Sequence, residues 1–221
     1  MKSNFIFQIE RAANAIKKST LSEEAKSELI YVNSSIGRRL SYHKYHYDVF
    51  CFYAEDSLQP LSKFSTVTRG SVDIKLACEA HTHSFLTNAR SIFDSVLFLY
   101  KCVDPNINIL NQSDAISKII NEDIKSIAQE IANSEIFKIA SSIDNSNKHR
   151  GLTRILLNEH GIVVLGKQLI DSGLSKKNGS KFYIEETPIK QFMIDLDNFL
   201  IPRVTLIHKK IIDDIEGNVI A

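Results

Sequence analysis

The run Asp144-Asn145-Ser146-Asn147-Lys148-His149-Arg150-Gly151 gathers hydrogen-bonding and charged side chains between segments of helical pattern. His149 is its one group able to exchange a proton near neutral pH, and Lys148 and Arg150 flank it with fixed positive charge. On RNA, such a histidine can take the proton of a 2′-hydroxyl or return one to the leaving oxygen, while the neighbouring cations neutralise phosphate. Asn145 and Asn147 would add neutral contacts to the same phosphate-bearing ligand. The plainer reading is a polar turn, because Asp, Asn and Ser favour caps and turns.

A second run, Arg38-Arg39-Leu40-Ser41-Tyr42-His43-Lys44-Tyr45-His46-Tyr47, interleaves cations with three tyrosines. Aromatic faces stack on unpaired bases while Arg and Lys follow the phosphates, which makes Arg38, Arg39, Lys44 and Tyr45 candidate RNA contacts. The competing reading is a helix with tyrosines straddling core and water and its cations solvated. A third feature is the stripe Glu79, His83, Thr87, Arg90 and Asp94, spaced every three or four residues on one helix face. It reads first as a solvated face with an Arg90–Asp94 pair at i,i+4.

Two histidine pairs, His43-x-x-His46 and His81-x-His83, have neither an HExxH arrangement nor neighbouring cysteines, so no metal is expected. No Gly-rich phosphate loop, nucleophile elbow or dinucleotide fingerprint occurs, and no cofactor is expected. A net charge of +1 excludes a histone-like coat for polyanions but leaves local basic patches open. Cys51, Cys78 and Cys102 are odd in number and far apart, which fits a reducing compartment rather than a disulfide framework or structural zinc. The first residues lack the apolar core of a signal peptide, and no apolar run reaches membrane-spanning length. A soluble, cytoplasmic protein without membrane association is the expectation.

The elements that must carry these residues are mostly helices. At 221 residues with 43% hydrophobic content, the chain is long enough for one large packed domain. Ile6, Ile9, Ala13 and Ile16 mark a first helix over about 5–18. Thr20 and Glu23 form a capping box for a second, which runs toward Asp48. Residues 57–71 read as a loop. A third helix over 72–103 carries Phe85, Ala89, Ile92, Phe93, Val96, Tyr100 and Val103 on one face and stops at Asp104-Pro105-Asn106. Helical pattern resumes near Ser113, with a break around Asn133-Ser134, and continues to about Ile143. After Gly151 the period changes. Residues 152–157, 162–170 and 181–186 are strand-like runs separated by turn signals, which predicts an antiparallel meander. A last helix from about Ile189 should kink or split at Pro202.

A helical pair followed by Asn145-x-x-Lys148-His149-Arg150 resembles the HEPN superfamily, compact helical bundles of prokaryotic toxins, defence proteins and CRISPR-associated nucleases. The resemblance covers about 72–150 and, more loosely, the last helix. It implies a motif of arginine, a polar residue and, a few positions on, a histidine, placed near the start of a helix in a metal-independent endoribonuclease. Asn145 and His149 match the polar and histidine positions, and Asp144 stands at the arginine position. The resemblance also implies a dimer whose cleft is lined by helices bearing Arg90 and His149, with Arg90 or Arg150 as a substitute cation.

Together these readings predict a mainly α protein, a helical bundle with a small antiparallel β-meander insertion. One HEPN-like domain would span 1–221: an N-terminal helical extension over 1–70, core helices and motif over 71–150, the β insertion over 151–187 and the C-terminal helix over 188–221. The expected function is that of a dimeric protein of prokaryotic defence or stress response that binds RNA or another phosphate-bearing partner without efficient cleavage. The alternatives are an active endoribonuclease using His149 and a structural protein-interaction module.

Overall fold

The computed structural model describes residues 2–55, 68–69, 72–100, 112–149, 155–158, 163–166, 168–171 and 181–220. Among the described residues it is mainly helical, with a small antiparallel sheet, as the patterning predicts.

α1 (Lys2–Lys18) closes where the Ser19 hydroxyl donates to the Ile16 carbonyl at 2.8 Å. α2 (Glu23–Glu55) is capped by Ser22, whose Oγ accepts the Ala25 N–H at 3.2 Å. The Thr20–Glu23 capping box is therefore displaced: Ser19 ends the previous helix and residues 20–21 make the turn, leaving Ser22 at the cap position. α2 also runs on past Asp48, because Phe50 extends its buried face.

β1 (Thr68–Arg69), in the stretch expected to be loop, pairs antiparallel with β2 (Val72–Asp73), which takes the place of the expected start of the third helix; the rest of 57–71 lies outside the described residues. Asp73 then caps α3 (Ile74–Tyr100), accepting the Leu76 N–H at 3.0 Å. The predicted stop at 104–106 lies outside the described residues. α4 (Gln112–Lys118), α5 (Glu122–Asn133) and α6 (Glu135–His149) follow. The expected break falls at Ser134, whose hydroxyl caps Phe137 N–H at 3.4 Å. A second break, at 119–121, was not evident from periodicity. The Tyr100 phenol oxygen accepts the N–H groups of Ile120 and Asn121 at 3.2 Å each, giving those two amides a partner outside any helix.

Among the described residues, the strands of the β insertion form a three-stranded and a two-stranded antiparallel sheet. β3 (Ile155–Leu157), β4 (Val163–Leu165) and β7 (Thr187–Pro188) form a three-stranded antiparallel sheet in the order β3-β4-β7. β5 (Gln168–Asp171) and β6 (Lys181–Ile184) pair separately. The run 162–170 thus splits after Leu165 into strands of different sheets. α7 (Ile189–Ile220) continues through Pro202 as one helix, so the expected split is absent. Pro202 lies on the exposed side, while Leu200 and Val204 beside it are buried, and that packing holds the helix through its missing N–H.

Contacts divide the chain into two compact units, one of residues 1–41, 91–133 and 199–221, the other of residues 42–90 and 134–198. These cut across the sequence-based segments, since α2, α3 and α7 each supply residues to both. In the first unit, Ile16, Leu29, Ile36, Ile124, Ile207 and Ile211 are fully buried. Arg11 on α1 pairs with Asp213 and Glu216 on α7, and α5 is held to α7 by Lys210–Asp123 and Arg203–Glu130. Two of its buried polar side chains meet: Asn33 donates to the Ile9 carbonyl and its Oδ1 accepts from His208 Nε2, both at 2.8 Å. In the second unit, Phe85, Leu86, Phe137 and Ile143 are buried, as are strand β4 and Ile189, Met193 and Leu196 at the start of α7. This unit contains nearly all the candidate chemistry.

Candidate functional site

The polar stripe of α3 is not a solvent face. Glu79, His83, Thr87 and Arg90 are all half-buried, and its lower part is directed at α6. The Thr87 hydroxyl donates to one carboxylate oxygen of Asp144, and Arg90 Nη1 approaches the other at 3.2 Å. The same guanidinium nitrogen donates to the Asn145 side-chain oxygen. Asp144 is only 2% exposed, so this carboxylate is an interior group balanced by an arginine and a hydroxyl. Asp94 accepts from Gln112 at 2.9 Å within the first unit.

This node explains why the polar run does not begin as a turn. Asp144 and Asn145 favour caps and turns, yet α6 continues to His149, because tertiary hydrogen bonds hold both in helical backbone. Asp144–His149 thereby forms the last two turns of α6, not the start of a helix. A helix end of that polarity presents carbonyls, so an anion there would depend on side chains such as Lys148 and Arg150 alone. The backbone of Asn147, Lys148 and His149 is helical; their side chains, and Arg150 entirely, lie outside what the structure describes.

Higher on the same α3 face, His83 Nε2 lies 3.9 Å from Glu79. Burial lowers the His83 pKa, against the opposing pull of Asp144, and burial raises that of Glu79.

The tyrosine-rich run of α2 divides by face. Tyr42 and Tyr45 are more than half exposed, as is Tyr31 one half-helix earlier, whose ring lies 5.6 Å from the Arg38 guanidinium. Arg39 is half-buried, and Lys44 pairs with Asp48 one turn on. Tyr47 turns inward against Phe85, and burial, with a Cys51 contact second, pushes its phenol up to about 12. His43 is buried. Its Nδ1 donates to the Phe85 carbonyl at 3.0 Å, its Nε2 lies 2.5 Å from Asp197 Oδ1, and its ring stacks on Phe85. With both nitrogens facing acceptors, it has no position left for proton transfer to a substrate.

The sequence-adjacent histidine pairs do not act as pairs. His43 turns into the core, His83 toward Glu79, and the remaining two meet: His46 Nδ1 and His81 Nδ1 are 2.9 Å apart, α2 to α3. That juxtaposition has no signature in local spacing and emerges only when the two helix faces are matched. Cys78 beside them is buried, and desolvation pushes its thiol up to about 12, which leaves it unreactive. Among the described residues, no three His, Cys, Asp or Glu side chains converge as a metal site, and no helix is long and apolar enough to cross a membrane.

No protein-family model, curated protein or solved structure matches this chain with significance.

Proposed function

We propose that the chain is a HEPN-like, dimeric RNA-binding protein of prokaryotic defence or stress response that does not cleave its ligand efficiently. The observation carrying this reading is the state of Asp144. At the motif's arginine position sits a buried carboxylate that also engages the neighbouring Arg90. A guanidinium so engaged is a poor electrophilic partner for a scissile phosphate, and a nearby carboxylate repels the charge that must be stabilised. Binding is supported by α2, where Tyr42 and Tyr45 offer exposed rings and Arg38 an exposed cation.

Retention of single-stranded RNA across a salt series, with EDTA present and product analysis, tests the reading. Wild type should retain RNA intact. Arg38→Gln and Lys148→Gln should each flatten the slope of log K against log salt by about 0.7. Tyr45→Ala should weaken binding by about 1–3 kcal/mol through lost stacking. Metal-independent cleavage abolished by His149→Ala would replace this reading with an active endoribonuclease; no salt-sensitive retention would replace it with a protein-interaction module.

The dimer is a separate expectation. Sedimentation at micromolar concentration should give twice the chain mass; a monomer would remove the shared cleft while leaving RNA binding open.

A further inference from the structure

The His46–His81 pair lies within the second unit and has no part in the proposed RNA contacts. The two rings are half-buried, with centroids 5.1 Å apart and planes inclined at 41°. Tyr45 stands edge-on to both, at 5.2 and 6.1 Å, and Tyr53 lies parallel to His81 at 6.3 Å. Aromatic walls thus fix the ring orientations and lower the local dielectric, leaving the two Nδ1 atoms turned toward each other.

In the free protein, one Nδ1–H donates to the lone pair of the other. Both neutral imidazoles present an Nδ1 lone pair once the donor ring's proton shifts from Nδ1 to Nε2. Neutral imidazole is the form that ligates metals.

The spacing is selective. With metal–nitrogen bonds of about 2.0–2.1 Å, nitrogens 2.9 Å apart subtend about 90° at the metal. A tetrahedral angle at that bond length would need about 3.3–3.4 Å between them. Right-angle, nitrogen-rich coordination suits Ni²⁺ or Cu²⁺ rather than tetrahedral Zn²⁺. We propose that His46 and His81 form a cis two-histidine site for a divalent ion of square-planar or octahedral habit, Ni²⁺ or Cu²⁺. Water or an external ligand completes the coordination sphere. On binding, the donor ring gives up its Nδ1 proton to solvent and takes one up on Nε2, so both rings stay neutral with Nε2 protonated and no net proton is released.

Titration of metal-stripped protein with NiCl₂, followed by calorimetry and by imidazole nitrogen NMR shifts, tests the site without requiring a variant. The expected result is one saturable equivalent whose binding shifts the Nδ1 resonances of His46 and His81 alone. His46→Gln and His81→Gln, each checked for helical content, should weaken this binding by more than the about 10–100-fold typical of an outer-sphere partner. His43 and His208 resonances should not move. Shifts confined to other histidines, equal affinity in both variants, or no saturable binding by wild type would each overturn the proposal. A Zn²⁺ affinity exceeding that for Ni²⁺ and Cu²⁺ would overturn its geometric basis.

Discussion

Asp144→Ala is expected to lower stability by about 3 kcal/mol, the low end for breaking a buried pair, because Arg90 keeps partial access to water. For a chain of this size that is a fall in Tm of roughly 6–12 °C. Asp144→Arg should be worse, placing a second guanidinium at a position 2% exposed and directly against Arg90. Placing at this position the arginine of the HEPN pattern is therefore expected to abolish folding rather than create a nuclease. Urea unfolding of both variants, with Arg90→Ala and the Arg90→Ala/Asp144→Ala double variant, provides the check. The double variant should cost less than the sum of the singles, since removing both charges leaves neither orphaned. A stable Asp144→Arg protein that cleaves RNA would show that the node is dispensable and that the arginine position is open to substrate.

The second large effect concerns acid. His208 is fully buried, and desolvation lowers its pKa to about 4, against about 6.5 for an unfolded histidine. Between those values the unfolded chain binds a proton that the folded chain refuses. Stability should thus be complete above pH 6.5 and decline as pH falls toward 4, with a loss on the order of 3 kcal/mol from this one side chain. His46, His81 and His83, also lowered by burial, act in the same direction; Glu79, raised by burial, acts against them. Unfolding midpoints measured from pH 7.5 to 4.5 should fall steadily in wild type. His208→Gln, which can still donate to Asn33, should be less stable at pH 7.5 and show a shallower decline. An unchanged slope in that variant would mean that His208 is protonated in the folded state.

The helices were legible because their apolar positions recur at helical spacing: Phe85, Ala89, Ile92, Phe93 and Val96 are buried as read. The three-stranded sheet was less so. Val163–Leu165 is a continuous buried run, and periodicity cannot tell that its neighbour Gln168–Asp171 pairs elsewhere. The candidate site was half legible. Stripe and polar run were both visible, but Asp144 looked like a turn residue, and nothing local announces that it meets Thr87 and Arg90 more than fifty positions away. The histidines failed for the same reason. His43 and His46 lie three positions apart on α2, yet one bonds to Phe85 and Asp197 while the other meets His81.

The His43–Asp197 contact has a historical consequence. The imidazole is 4% exposed and its carboxylate partner 36% exposed, so the two losses are unequal. A lineage that discards Asp197 first strands the buried ring's Nε2 without its partner. One that discards His43 first leaves a carboxylate that water can still reach. Drift away from the pair is easier in that second order, so intermediates keeping the aspartate without the histidine should be commoner among distant descendants than the reverse.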